Sequence, residues 1–201
     1  MDNTVTRALK LLREIKSVTF ATTNQGRPDA RIIDVAHVDD DGLYFITARG
    51  KPFYDQLIKH GNVAICGMNK HYTTVRIIGD IKKCVGRGIV DKLFDLNDFP
   101  YPGETRDIID AFLLYRGKGE IFDLSVKPPE RIRFSFGGDT VNPVGYRLTS
   151  ACTACGVCKD CCPFEVISEG PIYTIDMEHC IECGRCREIC PEDAIERALG
   201  L

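Results

Sequence analysis

The chain has 201 residues, of which 44% are hydrophobic and 27% charged, a composition that supports a folded core and excludes wholesale disorder. Its formal net charge of −3 comes without a run of Lys and Arg, which argues against a nucleic-acid-binding protein. Apolar runs are far shorter than the roughly 18 residues of a membrane helix, and the N-terminal residues lack the apolar stretch of a secretory signal. We therefore expect a cytoplasmic protein without a membrane segment.

The first 136 residues contain many short strand-like segments and few helix-like ones. Apolar residues recur on one helical face over residues 5–15 and predict an amphipathic helix. Runs of β-branched residues bounded by turn-forming residues predict strands over residues 18–23, 30–38, 43–47, 63–68, 74–83, 120–125 and 131–136. Further helices are predicted over residues 51–59, 89–96 and 105–115. This pattern predicts a mainly β, α+β unit with a closed antiparallel barrel.

The segment from Thr47 to Pro52 leads from a predicted strand end into a predicted helix start. Free N–H groups and the helix dipole favour an anion at such a place, and Arg49 and Lys51 add positive charge. The pattern is typical of a phosphate site, but it fits a solvated polar loop equally well. The segment is not a P-loop, because the string G-x-x-x-x-G-K-[ST] is absent.

The order of these features resembles the FMN-binding split barrel of the pyridoxamine 5′-phosphate oxidase-like family, including its nitroimidazole-resistance branch. The resemblance covers residues 5–136 and rests on residues 28–33, on residues 43–47 with Lys51, and on residues 75–79. It implies a six-stranded antiparallel barrel that binds FMN. It also implies a homodimer, because members of this family usually dimerise with FMN at the interface.

By position, the resemblance assigns cofactor contacts to five residues. Arg31 and Lys51 would grip the FMN phosphate, and Thr47 would hydrogen-bond the cofactor. Ile32 and Ile33 would present their backbone to the isoalloxazine ring. The oxidase itself has a C-terminal stretch with Trp and Arg for its vitamin B6 substrate, whereas this chain has no Trp and continues into a cysteine-rich region. Pyridoxamine phosphate oxidation is therefore not expected.

Nine of the eleven cysteines follow residue 150, and eight of them form a repeat. Both copies read C-x2-C-x2-C-x3-C-P at a constant offset of 28 residues. Over residues 144–199 the chain resembles bacterial ferredoxins with two [4Fe–4S] clusters, in which the fourth Cys of each run binds the other cluster. The resemblance implies one ligand set of Cys152, Cys155, Cys158 and Cys190, and a second of Cys180, Cys183, Cys186 and Cys162.

Two other uses of these cysteines are less favoured. The odd count, the absence of an export signal and a reducing cytosol argue against disulfides. Structural zinc prefers two separated Cys-x2-Cys pairs rather than three cysteines within seven residues. Cys161 aligns in the repeat with Ile189, so we interpret it as a packing residue and not as a ligand.

Charge changes where the cysteines begin: residues 1–150 carry +3 and residues 151–201 carry −6. We predict a split-barrel domain over residues 1–140 and a small α+β ferredoxin domain over residues 141–201. Together they predict an FMN-dependent iron–sulfur oxidoreductase that passes electrons between a one-electron carrier such as ferredoxin, two clusters, FMN and a small-molecule acceptor. The alternatives are a non-catalytic electron-transfer or redox-responsive protein and a nitroreductase-like detoxifying enzyme.

Overall fold

A computed structural model of the chain describes residues 2–99, 103–127, 129–141 and 144–198. The chain divides into two compact units. Unit 1 comprises Met1–Glu120 and Phe134–Thr140, and unit 2 comprises Ile121–Arg133 and Val141–Leu201. The division predicted from the sequence differs from this one in segment 121–133, which groups with the cysteine-rich region.

One large sheet organises unit 1. Its strands are β1 (Ser17–Asn24), β2 (Arg27–Asp34), β3 (His37–Asp39), β4 (Gly42–Ala48), β5 (Asn62–Met68), β6 (Thr73–Lys83), β7 (Ile109–Asp123) and β8 (Glu130–Phe136). They lie in the order β2-β1-β5-β6-β7-β4-β3, with β8 paired to β7. The end of β7 and the start of β8 belong to unit 2. The helices are α1 (Asn3–Ile15), α2 (Pro52–His60) and α3 (Arg87–Asp95), with a 3-10 turn at Gly103–Ile108.

Aromatic side chains fill the core between the sheet and α2. The rings of Phe20 and Phe45 have centroids 4.7 Å apart, and Phe45 stacks on Phe112 at 5.6 Å. Phe53 brings the start of α2 against the same cluster. Each of these rings is buried, and full burial of such a side chain stabilises the fold by about 1.5–3 kcal/mol.

Strands β6 and β7 approach each other closely at Gly79. A Cβ atom at this position would lie 2.2 Å from the Arg116 carbonyl oxygen and 2.8 Å from Leu114 Cδ1. Because the blocking atom is backbone of the neighbouring strand, only a residue without a side chain fits here. Gly79 therefore allows β6 and β7 to lie this close together.

The predicted mainly β, antiparallel class is confirmed, but three details of the sequence prediction are wrong. The described sheet has eight strands rather than six. The single strand predicted over 30–38 is two strands, because the Val35 N–H donates to Lys16 and the Ala36 N–H to Tyr44, so the chain turns a corner between β2 and β3. The helix predicted over 105–115 is instead the 3-10 turn and the first half of β7.

Unit 2 contains short elements arranged around the cysteine runs. They are β9 (Gly145–Leu148), α4 (Val157–Asp160), β10 (Ile167–Ser168), β11 (Thr174–Ile175), α5 (Arg185–Glu188) and β12 (Ile195–Ala198). Strand β9 pairs with β12 and β10 with β11, both antiparallel. Among the helices in the described residues, none is long and apolar enough to cross a bilayer.

Candidate cofactor sites

The eight cysteines of the repeat gather into two groups of four within unit 2. Each group lines an apolar pocket. The first cysteine pocket is lined by Cys152, Cys155, Cys158 and Cys190. The second cysteine pocket is lined by Cys162, Cys180, Cys183 and Cys186. Each pocket thus takes three cysteines from one run and the last cysteine of the other, as the predicted ligand sets require.

The backbone of each run presents its sulfurs in the same way. Gly156 and Gly184 precede the short helices α4 and α5 with φ angles of 86° and 80°, a conformation that favours glycine. The N–H of Ala154 donates to the Cys152 sulfur at 3.4 Å, and the N–H of Glu182 donates to the Cys180 sulfur at 3.4 Å. Backbone donors of this kind stabilise negative charge on cysteine sulfur.

Burial alone opposes negative charge on several of these sulfurs. It raises the pKa of the Cys158 and Cys180 thiols, and it raises the pKa of Cys186 to about 11. A bound metal replaces the thiol protons and stabilises the thiolates. Without a metal, these side chains are therefore neutral thiols, and metal binding would have to displace their protons.

Cys161 lies outside both sets of pocket-lining residues. Its thiol donates to the Cys158 carbonyl oxygen at 3.2 Å, and its side chain packs against the core of unit 2. This placement supports its interpretation as a packing residue.

In unit 1, Thr47 lies near the end of β4 and its side chain is only 4% exposed. Among the residues that the structure describes, none hydrogen-bonds its buried Oγ1. A buried hydroxyl without a hydrogen-bond partner destabilises the fold by about 1–3 kcal/mol. A ligand atom that hydrogen-bonded Oγ1 would remove this cost. Thr47 therefore fits the predicted contact to a cofactor.

The predicted phosphate segment leads into the N-terminus of α2. Lys51 is the N-cap residue of this helix, is exposed, and provides no side-chain cap. Arg49 is held by an ion pair with Asp110 at 3.3 Å. The uncapped first turn and the exposed Lys51 leave this helix end suited to an anion.

Arg31 lies against the same helix but in an internal polar network. Its guanidinium donates to Thr22 Oγ1 at 2.6 Å and to Gln56 Oε1 at 2.9 Å, and pairs with Asp29 at 2.7 Å. It also lies 4.5 Å above the Phe53 ring. Arg31 thus anchors α2 to the sheet, and an FMN phosphate would compete with Asp29 for it.

Ile32 and Ile33 lie on opposite faces of β2. Ile32 is 63% exposed on the outer face, whereas Ile33 is partly buried on the face that also carries Arg31. Their side chains therefore do not belong to one surface. Contacts between the backbone of these two residues and the flavin stay a prediction.

A second polar cluster joins the ends of β4, β6 and β7 to α2. Asp110 accepts hydrogen bonds from Tyr54 at 2.9 Å and is paired with Lys83 at 2.7 Å. Burial would raise the pKa of Asp110, but the hydrogen bonds from Lys83 and Tyr54 and the charges of Lys83 and Arg49 outweigh it and lower this pKa. Asp110 therefore stays ionised and holds Arg49 beside the phosphate segment.

Sequence reasoning missed the partners of Arg31. Asp29 lies two residues before Arg31 on the same face of β2, which gives a local signal for their ion pair. Thr22 and Gln56 come from β1 and α2, and nothing in their local sequence indicates that they meet.

Two family models match the chain. Residues 5–97 match the model described as pyridoxamine 5′-phosphate oxidase, and residues 173–196 match the model described as 4Fe-4S binding domain. A ferredoxin from Butyribacterium methylotrophicum is 61% identical over 31 residues, which are 15% of this chain and 56% of that ferredoxin. The matched stretch is therefore little more than half of the ferredoxin's length.

Solved structures share the fold of about two thirds of this chain. A NimC/NimA family protein from Clostridium acetobutylicum has a TM-score of 0.55 and 22% identity, with 66% of this chain and 92% of that chain covered. A pyridoxamine 5′-phosphate oxidase-related, FMN-binding protein from Nostoc punctiforme has a TM-score of 0.51 and 19% identity, with 65% and 87% covered. PhzG from Burkholderia lata, in complex with tetrahydrophenazine-1-carboxylic acid, has a TM-score of 0.51 and 18% identity, with 67% and 83% covered.

The family matches agree with the two units built from the residues upward. The eight cysteines of the repeat, the antiparallel sheet and the matched segments give the same assignment for each end of the chain. The chain joins an N-terminal pyridoxamine 5′-phosphate oxidase-like domain to a C-terminal 4Fe–4S domain of the ferredoxin type.

Proposed function

We propose that the protein is an FMN- and iron–sulfur-dependent oxidoreductase that passes electrons between a one-electron carrier such as ferredoxin, two [4Fe–4S] clusters, FMN and a small-molecule acceptor. The observation that carries the proposal is the presence of two four-cysteine pockets in a chain that also has a flavin-type split barrel. FMN exchanges one or two electrons and a cluster exchanges one, so the combination couples one-electron carriers to two-electron chemistry.

In this proposal the residues of unit 2 hold and insulate the clusters. Each pocket supplies four cysteines, apolar walls and backbone N–H groups directed at sulfur. All cluster positions are then occupied by protein ligands, so substrate has no open coordination site there. The clusters would carry electrons, and substrate chemistry would take place at the barrel.

The residues of unit 1 would bind FMN. Lys51 and the N-terminus of α2 would hold its phosphate, with Arg31 as a second cation if it exchanges Asp29 for the phosphate. The buried Thr47 hydroxyl would gain the partner that it lacks within the described chain. A cytoplasmic location suits this function, because a reducing compartment keeps the cysteines available for iron.

Electron delivery through the clusters is the test of this function. We expect excess reduced ferredoxin to reduce FMN in the intact protein under anaerobic stopped-flow conditions, with a flavin rate constant that does not change when the protein concentration is raised tenfold. A Cys155→Ser, Cys183→Ser double variant, altered at one ligand of each pocket, should keep FMN but lose this reduction. A rate that rises in proportion to protein concentration would contradict an electron path within one chain or dimer.

The homodimer is the second part of the proposal, and the outer face of β2, β1, β5 and β6 is its proposed interface. Exposed apolar side chains lie on this face, among them Ile32, Met68 and Ile78. Ala30 and Thr19 lie between them in register, and the exposed Arg76, which pairs with Glu120 at 3.0 Å, is a charged residue on the same face. A sheet face with several exposed apolar side chains of this kind suits a twofold interface.

We expect the wild-type protein to sediment as a dimer and Ile78→Glu to shift it to a monomer, because the new charge would be buried in the interface. Leu96→Glu is the matched control, since Leu96 is similarly exposed but follows α3, away from this face. Analytical ultracentrifugation measures the oligomeric state of the wild type and of each variant. A monomeric wild type, or equal effects of the two variants, would contradict this interface.

A further inference from the structure

The two cysteine runs share one backbone conformation but differ at one side chain. Ala154 and Glu182 occupy equivalent positions in the repeat, with φ angles of 56° and 61°. Each donates its N–H to the sulfur of the cysteine two residues earlier. The two loops therefore place their sulfurs alike, and any difference in their electrostatics comes from surrounding side chains.

Glu182 brings a group of arginines to the second cysteine pocket. Its Oε1 lies 2.6 Å from Arg131 Nη1 and 3.1 Å from Arg133 Nη2, and its Oε2 lies 3.6 Å from Arg197 Nη2. Arg131 and Arg133 come from β8, within the segment that joins unit 2. Ala154 has no side-chain group that could hold such partners.

The first two arginines are also fixed to the backbone of the second run. Arg131 Nη1 donates to the Cys180 carbonyl oxygen at 2.9 Å, and Arg133 Nη1 donates to the Met177 carbonyl oxygen at 3.1 Å. The Arg131 and Arg133 side chains are 10% and 14% exposed, and Glu182 is 18% exposed. Because these charges are largely removed from water, they act on their surroundings with little screening.

The charges at the two pockets are thus unequal. The Arg131 and Arg133 guanidinium groups and the Glu182 carboxylate lie together beside the second pocket, so fixed charges of both signs are present there. Among the described residues that line the pockets, the charged one is Arg185 for the second pocket and Glu192 for the first. The ionisable residues Lys159 and Asp160 of the first run are exposed to solvent.

We infer that Arg131 and Arg133 raise the reduction potential of the cluster in the second cysteine pocket and that Glu182 lowers it. The inference rests on the proposed cluster sites. Adding an electron makes a cluster more negative, so a nearby fixed cation stabilises the reduced form and a nearby carboxylate destabilises it.

The test is an anaerobic redox titration of the full-length protein, followed by electron paramagnetic resonance. Arg131→Gln should lower one of two midpoint potentials, because a cation is lost. Glu182→Gln should raise that same potential, because an anion is lost and the two arginines remain. Arg131→Lys keeps the charge and should stay close to the wild type. Arg147→Gln is the matched control, because it removes a cation from an exposed ion pair with Glu196 and should move neither potential.

Opposite shifts in the Arg131→Gln and Glu182→Gln variants distinguish an electrostatic role from a merely structural one. Unchanged potentials, or shifts of the same sign, would overturn the inference. If Arg131→Gln fails to hold its clusters, Glu182→Gln still decides the sign. Iron and sulfide analysis precedes the titration: a wild-type chain without clusters contradicts the proposed function itself, whereas loaded clusters with unmoved potentials contradict this inference alone.

Discussion

Serine substitution of paired cysteines is expected to reveal which run serves which cluster. A wild-type chain with both pockets filled should contain about eight iron atoms. The Cys155→Ser, Cys190→Ser variant loses two ligands of the first cysteine pocket only and should retain about four iron atoms, because the second pocket is intact. The Cys155→Ser, Cys162→Ser variant loses one ligand from each pocket and should be impaired in both clusters.

The same iron and sulfide analysis distinguishes the crossed arrangement from an uncrossed one. If each run held its own cluster, the Cys155→Ser, Cys162→Ser variant would keep one intact cluster and the Cys155→Ser, Cys190→Ser variant would damage two. Cys161→Ala is the control, since its sulfur lies outside both sets of pocket-lining residues and donates only to the Cys158 carbonyl. Loss of iron in that variant would contradict the assignment of ligands.

The parts of this molecule that were predictable from sequence depend on short-range patterns. The face of α1 that carries Val5, Leu9 and Leu12 is buried, as its helical period predicts. The four cysteines of each predicted ligand set also line one pocket, because three of the four lie within seven residues, and their role as cluster ligands stays a prediction. In both cases the sequence pattern that permits the prediction lies within a short stretch of the chain.

The parts that were not predictable depend on contacts between distant segments. The first half of β7 pairs with β4, and Ile109, Phe112 and Leu114 are all buried, so the alternation that marks a half-exposed strand is absent. A continuous apolar run of this kind is equally typical of a buried helix, so its periodicity does not distinguish the two structures. Arg131 and Glu182 form an ion pair although they lie 51 positions apart in the sequence. The sequence around either residue does not indicate that the two meet.

Removing the Lys51 ammonium is expected to weaken FMN binding by roughly tenfold or more, because a charge-assisted hydrogen bond to phosphate contributes about 1.5–3 kcal/mol. Riboflavin lacks the phosphate, so it should bind the wild type poorly and respond little to Lys51→Ala. Lys59→Ala is the matched control, since Lys59 is an exposed lysine in the last turn of the same helix. Flavin fluorescence quenching gives both affinities, and equal affinity for FMN and riboflavin would contradict the phosphate site at α2.

Thr47→Val separates the role of the hydroxyl from that of the phosphate site. Without flavin, the variant should be at least as stable as the wild type, because the structure gives Oγ1 no partner among the described residues to lose and valine has nearly the same shape. With flavin, the variant should bind FMN and riboflavin more weakly by a similar factor if Oγ1 contacts the part that the two share. Thermal unfolding with and without each flavin measures both effects. A variant that loses stability without flavin would show that Thr47 serves the fold and not the cofactor.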